Sequence, residues 1–309
     1  MENRGASSQK PVRSVKSSKA AGLAKKTKRS TPESLARQRA SRRPRVNAEG
    51  QDDAGGRLFV SALARGFEVL GAFRSRDVAL GNLELAERTG LPKATISRIT
   101  HTLTQLGYLA YNPKLSNYEL GGRLLALGYV AISNLDILRV ARPIMQKLAN
   151  SAGVAVTLGT RDKLMLLNVE TSESRALIGL RLPPGSRMPI VTTASGRGYL
   201  AAVSEEERNG ILDAVAKQHG DEWPTVRRAV ERSIRDVADR GFCVSVGEWQ
   251  KDINGAGAPV RAPGAMSAYG IAIGGPAYLL PEEQLIELGP LLAKAADEIT
   301  GALGGHLLE

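Results

Sequence analysis

The sequence has little of what disulfide frameworks and metal sites are made from. Its one cysteine, Cys243, cannot form an internal disulfide, and the three histidines, His101, His219 and His306, are scattered without metal-ligand spacing. Long apolar runs are missing too. The longest mostly apolar stretch, around Ile271 to Leu280, is broken by Gly274, Gly275 and Pro276 and falls far short of the roughly 20 residues of a spanning helix. The N-terminus has no apolar signal core. A soluble cytoplasmic protein without metal or cofactor is expected.

Basic residues are in large excess only at one end. The chain of 309 residues has a net charge of +11; residues 1–56 hold 14 Lys/Arg against 5 acids, residues 57–120 hold 8 against 5, and the remainder 20 against 21. Residues 1–56 are rich in Ser, Ala, Lys and Arg and nearly free of aromatic and β-branched residues, so they cannot bury enough surface to offset chain entropy. A disordered basic tail is predicted, one that adds salt-sensitive attraction to phosphate polyanions or simply solubilises the chain. A mitochondrial-type presequence fits less well, because Asp52 and Asp53 come late and no amphipathic arginine helix is clear.

From Phe59 the texture becomes globular. "FVSALARGFEVLGAF" sets Leu63, Phe67, Leu70 and Phe73 on one helical stripe, and "LELAERTG" gives a second short helix that stops at Gly90. "LPKATISRITHTLTQLG" is the third, with Ile96, Ile99, Leu103 and Leu106 on one side and Pro92 in the first turn. "YLAYNPKLSNYEL" then reads as two short strands around a turn. Three helices and a hairpin are the order of a winged helix-turn-helix. Small Ala86, Gly90 at the turn and the anchor Ile96 agree with it. The outward face of the third helix carries Ala94, Ser97, Arg98, His101 and Gln105, with Lys93 and Thr95 beside its start. Such a helix fits the major groove of double-stranded DNA, where arginine forks onto guanine and the helix start holds phosphate. Lys114 and Asn117, at the expected wing tip, are further candidate contacts.

Leu124, Leu127, Val130 and Ala131 mark a connecting helix, and Leu138, Ala141, Met145 and Leu148 mark another that opens a new domain. Strands are expected over "VAVTLGT", "KLMLLNVE" and "RALIGLRL", then helices through Ala238, strands near "FCVSV" and "YGIAIGG", and a closing helix from Pro281. That order is α+β, an antiparallel sheet covered by helices. The expected division is a tail at 1–56, a DNA-binding domain at 57–120, a linker helix at 121–137 and a second domain at 138–309.

For that second domain, binding and catalysis are the two readings. A hydrolase needs a nucleophile with a base. Ser195 lies in "TASGRG", which is not the G-x-S-x-G elbow, and Cys243 sits in an apolar strand, where a cysteine is usually structural. "GAG" at Gly255–Gly257 lacks the third glycine of a dinucleotide site. Binding has more support. "RLPPGSRMPIVTTASGRGYLAA" runs from a Pro/Gly loop into a helix starting near Ala194 or Ser195, where free amides suit a carboxylate. A plain cap by Thr193 or Ser195 explains the same residues equally well.

The stretches "SALARGFEVL", "LAERTGLPKATISRITHTLTQLGYL", "YELGGRLLALG", "LPPGSRMPIVTTASGRGYLA", "DRGFCVSVGEWQKDINGAGAPV" and "GIAIGGP", in this order, resemble the IclR family of bacterial transcriptional regulators over about residues 57–305. The resemblance implies an N-terminal winged helix-turn-helix, a dimerising linker helix and a GAF/PAS-like effector domain for small organic acids or aromatics. It also implies dimers, often paired into tetramers, on palindromic operators. The family's effector pocket falls here on Leu177, Leu180, Ala194, Ser195, Ser245, Gly255, Ala272 and Gly274. Three departures matter: an acid common at the Ser245 position is missing, a cysteine known at the Gly255 position is missing, and Ala272 and Gly274 replace two serines. A roomier pocket, poor in donors, points to a larger effector such as an aromatic acid; the alternative is a module that has lost its ligand.

Overall fold

The computed structural model describes residues 59–74, 77–174, 180–263 and 268–304. The basic segment, Leu177 and His306 lie outside these residues.

Helix α1 (Ser61–Gly71) leads to a two-residue strand β1 (Leu80–Gly81) and helix α2 (Asn82–Thr89). Gly90, at φ +73°, caps α2 by donating its N–H to Ala86, a conformation that strains any residue with a Cβ. Pro92 is the N-cap of α3 (Lys93–Gln105), one residue outside the helix. Strands β2 (Leu109–Asn112) and β3 (Asn117–Leu120) form the hairpin, and β1 joins its far side to give the antiparallel order β1-β3-β2. The core joins Val69, Ala72 and Phe73 of α1 and its exit to Leu85, Ile96, Leu103 and Leu109.

Three apolar positions differ from the periodicity. Leu63 and Phe67, expected inside, are 59% and 64% exposed, because α1 turns its Val69 side to the core. Leu106, expected beside Leu103, is exposed at the end of α3.

Helix α4 (Gly122–Ser133) follows the hairpin and meets α5 (Asp136–Ala152) at a bend of 77°. No single helix among the described residues is long and apolar enough to cross a membrane. The C-terminal half is built on β4 (Ala155–Asp162), β5 (Met165–Ser172), β6 (Arg187–Pro189), β7 (Cys243–Val246), β8 (Ile253–Arg261) and β9 (Ala268–Pro276). They form one antiparallel sheet in the order β6-β5-β4-β9-β8-β7. Helices α6 (Ala194–Ala202), α7 (Glu205–His219) and α8 (Trp223–Arg240) precede β7, and α9 (Glu282–Ala302) closes the fold.

Strand alternation makes the layers. Val156, Leu158, Ala256, Ala258, Ile271 and Ile273 share one core with α5 and α9. The opposite face carries Gly257 and Gly270, and α6 lies directly on it. A Cβ at Gly257 falls 1.9 Å from the Ala194 carbonyl oxygen, and one at Gly270 falls 1.8 Å from that of Ser195. A second core, with Leu166, Ile190, Leu200, Leu212 and Val230, lies among α6, α7 and α8.

Two strand expectations are corrected. "RALIGLRL" falls partly on residues outside the described set, and its described end, Leu180–Leu182, is loop; the edge strand is Arg187–Pro189. "INGAGAPVR", not expected as a strand, is β8, an inner strand of the sheet. Gly257 accommodates the backbone of α6, and Gly255 the neighbouring strand.

Candidate functional site

Helix α3 is seated by polar contacts from α2. The Asn82 amide donates to the Ser97 hydroxyl at 3.3 Å, and its oxygen accepts from Thr100 at 3.3 Å. Lys93, Ala94, Arg98 and His101 of α3 are exposed, Ser97 is exposed beside its contact with Asn82, and Thr95 is half-buried. Among the described residues Lys93 and Arg98 make no ion pair, so both charges are available to an anion. Lys114 is exposed in the β2–β3 turn, where Asn112 Oδ1 accepts from its N–H at 3.1 Å. Asn117 is not at the tip. It is half-buried as the first residue of β3, opposite both Asn112 and Gly81.

On the α6 face of the large sheet, a narrow hollow opens at the start of α6; its atom-free space is about 380 Å³ with open solvent counted, of which about 40 Å³ is reached by the centre of a water-sized sphere. It brings together Leu180, Ala194, Ser195, Ser245, Gly255, Ala272 and Gly274, from five separate segments. Thr157, Leu182, Met188, Trp249, Ile253 and Asn254, which sequence reasoning missed, also line it. Thr157, one of an unbroken buried run in β4, gave no periodic signal. Trp249 and Asn254 reach the hollow only because β7 turns back into β8.

The hydroxyls are mostly committed. Thr193 is the N-cap of α6: its oxygen accepts from Gly196 N–H at 3.2 Å, and its hydroxyl donates to Pro189 at 2.8 Å. Ser195 donates to the Gly270 carbonyl and Ser245 to that of Thr192, each at 2.9 Å. Asn254 donates to Leu280 and accepts from Gly247. Thr157 makes only a 3.5 Å contact with the Ala272 carbonyl and is the freest hydroxyl in the hollow. Among the described residues no charged side chain lines it. The remaining donors for an anion are the first amides of α6, at Ala194 and Ser195, which have no partner within the helix.

The hydrolase alternative is corrected by the same geometry. Ser195 spends its proton on a backbone carbonyl, and His219 ends α7 against the Trp223 ring, 6.1 Å between centroids. Cys243 is fully buried, and burial pushes its thiol up to about 11, so it stays protonated and unreactive at neutral pH. Among the described residues no group of three His, Cys, Asp or Glu could hold a metal ion.

Comparison with known proteins settles the fold's lineage. The family model for the IclR helix-turn-helix domain matches residues 62–113, and that for the bacterial transcriptional regulator IclR C-terminal domain matches residues 129–301. The chain belongs to the IclR family. It is 34% identical to the HTH-type transcriptional regulator TsaQ1/TsaQ2 of Comamonas testosteroni over 257 residues, covering 82% of this chain and 92% of that one. A crystal structure of an IclR family transcriptional regulator from Brucella abortus matches at 38% identity and TM-score 0.72, covering 82% of this chain and 97% of the other. An IclR homologue from Microbacterium hydrocarbonoxydans, solved in complex with 4-hydroxybenzoate, shares the fold at 22% identity and TM-score 0.64, covering 79% and 99%. This IclR-family chain is therefore a DNA-binding transcriptional regulator with an effector-binding C-terminal domain, and not an enzyme.

Proposed function

We propose that this regulator binds a palindromic operator as a homodimer, in the cytoplasm, and that an aromatic carboxylic acid in the hollow sets its occupancy. The observation that carries the effector class is the composition of the hollow. Apolar walls with one indole, no charged side chain among the described residues and a helix start suit a flat ring bearing one carboxylate, held by the α6 amides and Thr157. Ala272 and Gly274 put no hydroxyl on the wall against which the ring would lie. The 4-hydroxybenzoate bound by the Microbacterium homologue is of the same chemical class.

Lys93, Ala94, Thr95, Ser97, Arg98 and His101 form the DNA-reading face, with Arg98 the base reader and Lys114 on the backbone beside it; Asn117 serves mainly to shape the wing. Dimerisation is supported by α4, none of whose 12 residues is buried although Leu125, Leu127, Tyr129, Val130 and Ile132 are among them. A helix apolar on several sides needs a partner. Two recognition helices about one helical turn apart then match two half-sites. The basic tail adds salt-dependent attraction to the backbone.

The test is a thermal-shift screen of the full chain against benzoate, 4-hydroxybenzoate and aliphatic acids of equal charge. At a hundredfold excess over the dissociation constant a ligand stabilises by about 2.7 kcal/mol, which raises a melting midpoint by several degrees. The expected outcome is a shift with aromatic acids and none with acetate; a shift with acetate alone overturns the effector class. On the DNA side, Arg98→Ala is expected to cost about 1 to 3 kcal/mol of specific binding in a gel-shift assay and to relax preference at one base position.

A further inference from the structure

Arg197 lies two residues beyond Ser195 on α6 and is 1% exposed. A guanidinium so far from water is costly unless its donors are met. Nε donates to the Val191 carbonyl at 2.9 Å and Nη1 to the Ser233 hydroxyl of α8 at 3.3 Å. The fork itself takes the Glu248 carboxylate, Nη1 to Oε1 at 2.8 Å and Nη2 to Oε2. Glu248 is one-third exposed and stands in the turn between β7 and β8, next to Trp249, which lines the hollow. Among the described residues Glu248 is the one side chain from 248 to 252 hydrogen-bonded to the rest of the protein. Gly247, at φ +62°, begins the turn, and Gln250, Lys251 and Asp252 are exposed.

We infer that the Arg197–Glu248 pair is a latch that positions Trp249 as a wall of the effector hollow, making these two residues determinants of ligand size. The inference rests on the hollow being the effector site. The bidentate geometry fixes the direction of the Glu248 side chain, and with it the backbone that carries the next residue. The indole is then held half-buried against the second core while one edge remains in the hollow. Arg197 is anchored through α6 and α8, so the wall belongs to the rigid part of the domain rather than to the turn. A preformed wall lowers the ordering cost of binding and excludes a ligand one ring too large. Releasing the latch lets Trp249 swing, which weakens a small ligand and admits a larger one.

The test uses the full chain and its two tryptophans, Trp223 and Trp249. In a Trp223→Phe background, Trp249 fluorescence reports the turn directly, with no ligand required. Adding Glu248→Gln is expected to raise acrylamide quenching of Trp249 by about threefold or more, with Glu248→Asp in between. Quenching of Trp223 in a Trp249→Phe background is expected to be unaffected, which separates local release from general loosening. Should Gln leave the buried guanidinium too poorly paired to fold, Arg197→Met fills the same space without charge, frees Glu248 to water and is expected to give the same exposure of Trp249. The ligand arm compares 4-hydroxybenzoate with 6-hydroxy-2-naphthoate by calorimetry. The wild-type chain is expected to prefer the single ring, and release of the latch to narrow that preference by about fivefold or more. Unchanged Trp249 quenching in both variants overturns the latch, as does an unchanged preference once quenching has risen. A wild-type chain that binds neither acid overturns the aromatic-effector reading, while the quenching result still decides whether the latch exists.

Discussion

Gly257 and Gly270 show how much a missing side chain can settle. Each lies where the first turn of α6 rests on the sheet, with carbonyl oxygens 1.9 and 1.8 Å from where a Cβ would sit. Neither backbone can give way without lifting the helix start away from the hollow. Gly257→Ala is therefore expected to destabilise the effector domain by about 1 to 3 kcal/mol or more, read as a lower melting midpoint. Gly210, inside α7 with nothing within 4 Å of its Cβ position, is the matching control. Gly210→Ala is expected to be neutral or stabilising by about 0.5 to 1 kcal/mol. A matching loss in both variants would show that the tight contact of α6 is not what those strand glycines serve.

Among elements, the ends of α1 and α2 are joined by Asp77 and Arg88. Arg88 donates to both oxygens of Asp77 and to the Ala72 carbonyl at 3.0 Å, and Asp77 also accepts from Arg74 N–H at 2.7 Å. The hydrogen-bonded guanidinium holds the Asp77 carboxyl below its ordinary value. A depressed carboxylate contributes stability that is present above its unfolded value near pH 4 and is lost as pH falls through the folded one. Asp77→Asn is expected to cost the DNA-binding domain roughly 1 to 2 kcal/mol at pH 7, a difference that closes as the pH is lowered toward 2. Thermal melts across that range check it; a gap independent of pH would deny the ion pair its role. Elements differed in how well the sequence disclosed them. Helices α2 and α3 were plain because Gly90 and the Ile96 period are local signals. Strand β8 was not, because glycine has a low strand propensity and the strand exists only through pairing with β7 and β9 on both sides.

For the whole molecule, the exposed apolar residues of α4 are the surface on which the proposed dimer rests. Tyr129 is 65% exposed and Leu125 62%. Tyr129→Glu is expected to shift the chain toward monomer in analytical ultracentrifugation and to weaken binding to a two-half-site operator by about tenfold or more, with a single half-site little affected. An unchanged sedimentation profile would move the dimer contact elsewhere. At this scale the order of the N-terminal helices and hairpin, and the confinement of excess positive charge to the first third, were determined by sequence alone, because periodicity, turn residues and charge act over a few neighbouring positions. The proposed DNA-reading face is legible for the same reason: its residues follow one another on a single helix. The hollow was reached only through family motifs, since its lining comes from segments as far apart as Thr157 and Gly274. Which hydroxyls are already spent, why Gly257 must be glycine and how Trp249 is held were decided by the tertiary structure. Those facts depend on which backbone lies within a few ångströms of which side chain, a distance that no local pattern encodes.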